Sequence, residues 1–208
     1  MFKANNEIDL QPGDVLLFPV SGWGILRLLV SLLIRYGHVA TYYTETKRGL
    51  PLIIESIGRG VLIRSLYAYD GVTITVMRPV QDDGLGQRAA REAEGLADNP
   101  GSWYGYFDIP RYVLPKLLLN KLGRLLPRAV RIWLNVLAAT YRENHVYICS
   151  ELVADAYAHA GHPLVSSRTI PLPDDLAESP ALRLVGTFKV SRPAELTGST
   201  MELRRDPC

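Results

Sequence analysis

The sequence contains little cysteine and no leader-like apolar segment near its start. Its two cysteines, Cys149 and Cys208, are too few for a framework of disulfides, so a reducing compartment fits best. Residues 1–14 are polar and contain neither the h-region nor the cleavage site of a secretory signal peptide. We therefore expect a cytoplasmic protein without a signal peptide, with peripheral attachment to a membrane left open.

Long uncharged apolar runs are also absent. Arg27 and Arg35 interrupt the first apolar stretch and basic residues recur through the second, so neither is expected to span a bilayer. The net charge of +2 gives no indication of a nucleic-acid partner. The charge is unevenly distributed, however. Segment 109–142 contains seven of the 23 basic residues and no acidic residue. The rest of the chain has 16 basic and 21 acidic residues, a net charge of −5.

Alternating and β-branched apolar residues indicate several strands. The segments with this pattern are DVLLF, HVATYY, LIIESIG, GVLIRSL, VTITVMRP and RLVGTFKV. The central segments predict an antiparallel meander of three or four strands. Helical spacing of apolar residues predicts helices over 23–36, 85–98, 113–126, 128–141 and 150–160. We expect one α+β domain over residues 1–208, with a basic and apolar helical insert at 109–142.

Cys149 lies at the junction between a β-like triplet and a helix, in VYICSELVADAYAHAG. A thiol in the first helical turn meets unpaired backbone N–H groups and the positive end of the helix dipole, which can lower the pKa of a cysteine. The same N–H groups can hold an oxyanion. The alternative is a buried structural cysteine. A nucleophile further requires a base within reach and a group that orients this base.

His38 and Glu55 are the candidates for these two roles. His38 opens HVATYY directly after a glycine, and Glu55 is a carboxylate among isoleucines in LIIESIG. A turn centred between residues 46 and 47 would pair them directly across a hairpin, with Cβ atoms about 5 Å apart. The alternatives are a strand-edge histidine with a structural partner and a glutamate that faces solvent.

Other polar residues near Cys149 are weaker candidates. Three histidines lie close to it in the sequence: His145, His159 and His162. No CxxC or HxxxH spacing supplies the further ligands that zinc needs, so we expect neither a metal nor a cofactor. Ser150 lacks a GxSxG elbow, and Glu151 in the first turn is interpreted as helix-stabilising. Cys208 has no CaaX box, and we expect no role for it.

The segments LQPGDVLLF, YGHVATYY, LIIESIGRGV and YICSELVADAY, in this order, resemble the YiiX/YebB-like branch of the NlpC/P60 superfamily. These are circularly permuted papain-like proteins, to which lecithin:retinol acyltransferase-type enzymes are related. The likeness covers most of 9–80 and 144–162. The resemblance implies an antiparallel sheet packed on the cysteine-bearing helix. It also implies Cys149 as nucleophile, His38 as general base and then acid, and Glu55 as the residue that orients the histidine.

The insert at 109–142 is longer and more apolar than the connection expected from this resemblance. Lys116, Asn120, Arg124 and Arg128 recur at i+4 intervals, and leucines and a tryptophan crowd the rest of the helices. Basic heads beside such apolar faces suit anionic lipid headgroups and the acyl boundary. The alternative is an ordinary helical hairpin that packs on the core and keeps its basic side in water.

Three functions stay open at this point. The first is a cysteine hydrolase that cleaves an amide of a peptide or cell-wall fragment through a thioester. The second is a lipid acyl hydrolase or acyltransferase that works at an anionic membrane surface through residues 109–142. The third is a binding module without catalytic activity.

Overall fold

The computed structural model describes residues 8–20, 34–58, 60–81, 83–97, 103–104, 119, 126–139, 146–165 and 171–193. These residues form an α+β structure with a six-stranded antiparallel sheet, which confirms the predicted class. The strands of this sheet are β1 Val15–Pro19, β2 Tyr36–Glu45, β3 Pro51–Ile57, β4 Gly60–Ser65, β5 Thr73–Pro79 and β8 Leu182–Lys189. Two short strands, β6 Trp103–Tyr104 and β7 Val146–Tyr147, pair in parallel. The described helices are α1 Leu85–Ala97, α2 Arg128–Ala139, α3 Cys149–His159 and α4 Pro173–Ala177, and a 3₁₀ turn spans Leu66–Tyr69.

The strand order in the sheet is β4-β3-β2-β1-β5-β8. Three of the central strands, β2, β3 and β4, form the predicted antiparallel meander, and β1 pairs with the other side of β2. The fourth central strand, β5, does not follow β4 in the sheet. β5 pairs with the other side of β1, and β8 pairs with β5. This half of the order was not predicted, because pairing between strands so distant in the sequence is not encoded in local alternation.

Alternation along the strands divides the core between the two faces of the sheet. On β1, Leu16 and Phe18 belong to one buried cluster, whereas Val15 and Leu17 belong to another. The second cluster also contains side chains of α1 and α3, including Cys149. The helix that begins with the cysteine therefore packs on the sheet.

A close backbone approach joins the loop before β1 to the start of α1. Gly13 has a φ of 90°, and a Cβ there would overlap the backbone of Gly86. A Cβ on Gly86 would lie 2.6 Å from the carbonyl oxygen of Pro12. The Gly13 N–H also donates to the Tyr42 carbonyl at 2.8 Å. The PGD segment before the first strand is therefore a packing requirement of the fold.

Several predicted segments lie outside the described residues, namely most of the helices over 23–36 and 113–126. At the end of the first, Tyr36 is described and belongs to β2, so the helix predicted to include it is wrong at that residue. Within the insert, α2 covers most of the helix predicted over 128–141. Among the described helices, none has both the length and the apolar character needed to cross a membrane.

Candidate active site

Cys149 is the first residue of α3 and is 7% exposed. Ile148, directly before it, has an extended backbone and makes no side-chain hydrogen bond to the helix start. Serine, threonine, aspartate and asparagine are preferred at such a position, because their side chains accept hydrogen bonds from first-turn amides. The isoleucine side chain has no acceptor atom, so the first-turn amides remain available to another acceptor. Within the described part of the chain, no acceptor contacts the Cys149 or Ser150 N–H.

His38 lies near the start of β2, opposite Phe18 of β1. Its ring lies 5.4 Å from the Phe18 ring and 6.0 Å from the Tyr69 ring, centroid to centroid, so aromatic neighbours restrict its orientation. Its Nε2 is 2.7 Å from Oε2 of Glu55. The Cys149 side chain lies within interaction distance of the His38 ring and raises its pKa. The structure therefore brings the three predicted residues into one line of contacts.

The predicted register of the hairpin is wrong, although the expected contact forms. We expected His38 directly opposite Glu55, whereas Thr41 pairs with Ile54. Continuing that ladder sets Glu55 opposite Ala40, two residues from His38. Residues two apart on a strand share a face, so the two side chains meet diagonally. The hairpin turn lies further along the chain than expected, since Glu45 pairs with Pro51 and the Thr46 N–H donates to the Leu50 carbonyl, and the sequence pattern does not show this.

Glu55 is fully buried, which rules out the solvent-facing alternative. Its Oε2 accepts hydrogen bonds from His38 and from the Tyr69 hydroxyl, and its Oε1 accepts one from Arg64 Nη1 at 2.9 Å. Arg64 lies on β4, and Tyr69 ends the 3₁₀ turn. Neither residue was predicted for the site. The available signal was general, since a buried carboxylate needs donors, but the sequence does not say which ones.

These contacts keep Glu55 ionised. Burial alone would raise the pKa of a carboxyl group. The hydrogen bond and charge of His38, the Tyr69 hydroxyl and the Arg64 charge outweigh burial and hold the pKa of Glu55 below its usual range. Burial and the Glu55 carboxylate raise the pKa of Tyr69 far above its usual value, so its hydroxyl keeps the proton that it donates.

The pKa of His38 is raised to about 9. Burial opposes this shift, but the hydrogen bonds and charges of Cys149 and Glu55 outweigh it. At neutral pH the imidazole therefore carries both ring protons, with a carboxylate on one side and a sulfur on the other. This is the arrangement in which a histidine can serve as a proton donor.

Residues around α4 hold both the cysteine helix and the histidine strand in place. The Ser150 hydroxyl donates to the Pro171 carbonyl at 2.6 Å. The Asp174 carboxylate accepts the backbone N–H groups of Arg35 and Tyr36, each at 2.9 Å, directly before β2 reaches the histidine. Ser150 is thus a buried structural hydroxyl. Asp174 was not predicted, because its partners are far away in the sequence.

No described contact links the other two histidines that the structure describes, His159 and His162, to this line of contacts. His159 is the last residue of α3, and Glu151 lies in its first turn. His162 follows three residues after the helix end. His145 and Cys208 lie outside the described residues. In the ranges that the structure describes, no group of three or more His, Cys, Asp or Glu side chains is arranged to hold a metal ion.

No family model and no curated protein sequence matches this chain. Its structure is similar to the crystal structure of metalloprotein YiiX from Escherichia coli O157:H7, DUF1105, with a TM-score of 0.50 and 17% identity. The chain has a YiiX-like fold. The superposition covers 88% of this chain and 98% of YiiX, so the likeness extends over nearly the whole of both.

YiiX is described as a metalloprotein, and the site in the present chain does not fit a metal ion. Glu55 already accepts hydrogen bonds from three donors, and one of them is the guanidinium of Arg64. A cation bound at this carboxylate would meet the positive charges of Arg64 and His38. The three hydrogen-bond donors around Glu55 instead fit a carboxylate that orients a histidine.

Proposed function

We propose that this protein is a cysteine hydrolase that cleaves an acyl bond through a thioester on Cys149. The observation that carries this proposal is the continuous contact from the Cys149 side chain through the His38 ring to the buried Glu55 carboxylate. In this proposal, the YiiX-like fold is a permuted papain-like fold of the NlpC/P60 type. The chain order of histidine, acid and cysteine fits such a permutation.

The reaction follows from the placement of each group. The Cys149 thiolate attacks the carbonyl carbon, a C–S bond forms, and the carbonyl electron pair moves to oxygen. When this pair returns, the bond to the leaving group breaks, and His38 gives its proton to the leaving nitrogen or oxygen. Neutral His38 then takes a proton from water, whose oxygen attacks the thioester. The C–S bond breaks, and the cysteine and protonated histidine are restored.

Two further features support this mechanism. Glu55 binds Nε2 of His38, which orients the ring and stabilises its protonated form. The Cys149 N–H, together with that of Ser150, is the donor for the oxyanion, because the isoleucine at the helix start does not occupy these amides.

An amide of a peptide or cell-wall fragment is the first candidate for the substrate. An amine leaves only after protonation, and a histidine whose pKa is about 9 holds the required proton at neutral pH. A lipid acyl hydrolase or acyltransferase is the second candidate. The apolar side chains that α2 exposes favour it, since they offer a surface for lipid.

Mass spectrometry of an acyl adduct tests the proposal. Incubation with p-nitrophenyl acetate should acetylate Cys149, and the acetyl group should then be lost to water. His38→Gln should slow acetylation by about a hundredfold or more, the usual contribution of a general acid–base group. Cys208→Ser is the matched control and should leave the adduct unchanged. Equal acetylation of both cysteines, or none, would favour the binding module instead.

The same measurement separates the substrate classes. Parallel incubations with cell-wall peptide fragments and with phospholipid dispersions should give an adduct from one of them on Cys149. The mass of that adduct identifies the acyl group directly. Cys149→Ala removes the adduct in either case.

A further inference from the structure

Helix α2 exposes a group of apolar side chains. Val130, Ile132 and Trp133 are 38%, 55% and 62% exposed, and Ala129 is exposed as well. Leu134, in contrast, is buried. Residues three and four apart lie side by side on a helix, so Ala129 neighbours Ile132 and Trp133, and Val130 neighbours Trp133. We call these four exposed residues the α2 apolar face.

This concentration is unusual for a protein surface. The described residues contain five large apolar side chains that are exposed, and three of them belong to α2. The other two are Val80, directly after β5, and Leu184 on β8. Single exposed apolar residues need no explanation, but a contiguous exposed group is typical of an interaction surface.

Charge indicates the chemistry of the partner. The segment 109–142, which contains α2, has seven basic residues and no acid, and Arg128 is exposed at the start of the helix. A second copy of the same surface would bring like charges together. An anionic bilayer supplies negative headgroups for the basic side chains and an acyl boundary for the apolar ones.

We propose that the α2 apolar face docks on an anionic lipid bilayer, with α2 lying in the plane of the interface. Trp133 enters the headgroup and acyl boundary, which is the region that tryptophan prefers. Ile132 enters beside it, and Arg128 contacts the headgroups. This proposal involves neither Cys149 nor His38, so docking and the thioester chemistry can fail independently.

Co-sedimentation with vesicles tests the docking. The full chain should bind vesicles of equal parts phosphatidylglycerol and phosphatidylcholine. Its affinity for pure phosphatidylcholine vesicles should be lower by about tenfold or more. High salt should release it, since screening weakens attraction to the headgroups. The double substitution Ile132→Ser with Trp133→Ser should reduce binding by about tenfold or more.

Leu184→Ser is the matched control, because Leu184 is 62% exposed, as Trp133 is, but lies on β8. It should bind as the unchanged protein does. All variants should keep the melting temperature of the unchanged protein, since the substituted side chains are exposed. Equal binding by the double variant would overturn the proposal. Absence of vesicle binding would also overturn it. If sedimentation instead shows that the unchanged protein self-associates and the double variant does not, the α2 apolar face binds a second copy, and the proposal is wrong.

Tryptophan fluorescence locates the contact. The chain has three tryptophans, and Trp133→Phe removes one of them while keeping an aromatic side chain. We expect this variant to bind anionic vesicles within about threefold of the unchanged protein. The blue shift that accompanies binding of the unchanged protein should be absent from it. A blue shift that persists in Trp133→Phe would place the lipid contact elsewhere and contradict the proposal.

Discussion

At the scale of single residues, Glu55 determines the electrostatics of the candidate site. It is a fully buried charge, and three donors from β2, β4 and the 3₁₀ turn converge on it. A buried charge is tolerated only when such partners offset its loss of hydration. Because these donors include the histidine that contacts Cys149, the same contacts that stabilise the fold also orient the proposed base.

Glu55→Gln should therefore affect stability and titration together. The neutral amide leaves Arg64 and His38 without an ionised acceptor, so we expect a loss of about 3 kcal/mol in the free energy of unfolding. The pKa of His38 should fall from about 9 towards its ordinary value of 6.5, because a charge that raises it is gone. Urea denaturation and NMR titration of the imidazole measure both effects. Glu92→Gln, at an exposed position of α1, should change neither. An unchanged His38 pKa would contradict this account.

The raised pKa of His38 also predicts how stability depends on pH. A group whose pKa is higher in the folded state contributes stability that is fully present below its unfolded pKa. For His38 this contribution is complete below pH 6.5 and is lost as the pH rises through about 9. The difference in unfolding free energy between the unchanged protein and His38→Gln should therefore shrink across that interval. His159→Gln, at an exposed histidine, serves as the control for histidine loss itself. A constant difference would show that the partners of His38 do not stabilise its protonated form.

At the scale of elements, the close approach of two glycines sets where α1 meets the sheet. Gly86→Ala places a Cβ 2.6 Å from the Pro12 carbonyl oxygen, a backbone atom that cannot move aside cheaply. We expect a loss of about 2 kcal/mol in unfolding free energy, as for other overpacked sites. Gly95→Ala on the same helix meets nothing within 4 Å and should stabilise by about 0.5–1 kcal/mol. Urea denaturation of both variants measures this difference, and equal effects would contradict the packing assignment.

The start of β2 depends on a helix near the other end of the chain. The Asp174 carboxylate accepts hydrogen bonds from the Arg35 and Tyr36 amides, which lie three and two residues before the histidine. In Asp174→Ala these amides should exchange with solvent at least about tenfold faster, since each loses a charged acceptor. Acetylation of Cys149 should slow as well, because His38 is then held less firmly. Asp174→Asn keeps one acceptor oxygen, so its amide exchange rates should lie between those of the unchanged protein and those of Asp174→Ala. Protected amides in Asp174→Ala would show that the backbone of β2 needs no such support.

Much of this element structure follows from the sequence, because alternation and helical spacing are local properties. The first five strands, α1 and the cysteine helix were predicted close to their observed bounds. The contact between His38 and Glu55 was predicted on the correct face but in the wrong register, because the hairpin turn lies further along the chain than the sequence pattern indicates. Arg64, Tyr69 and Asp174 were missed, because their contacts with the site depend on packing between elements and leave no periodic pattern in the sequence.

At the scale of the whole molecule, the candidate site is a product of the complete fold. His38 and Glu55 lie on the meander, whereas Cys149 is more than ninety residues further along the chain and reaches them only through the packing of α3 on the sheet. The pairing of β5 with β1, and of β8 with β5, fixes the far half of that sheet. These long-range pairings are not predictable from one sequence. Residue types, the local hairpin pattern and the resemblance are what the sequence offers for the assembly of the site.

A site assembled in this way should lose its reactivity when the fold is lost. We expect iodoacetamide in mildly acidic buffer to modify Cys149 much faster than Cys208 in the folded protein, because the protonated His38 contacts its side chain at the start of a helix. In the unfolded chain, Cys149 does not contact His38. The segment around it also has no persistent helix dipole, since isolated helices of this length are marginal in water. The rate advantage of Cys149 over Cys208 should therefore disappear at the urea concentration where circular dichroism reports unfolding. Mass spectrometry of labelled peptides across the transition measures the ratio at each point, with Cys208 as the internal control. An advantage that outlasts the transition would assign the reactivity to the local sequence around Cys149, and the role proposed for the sheet would have to be abandoned.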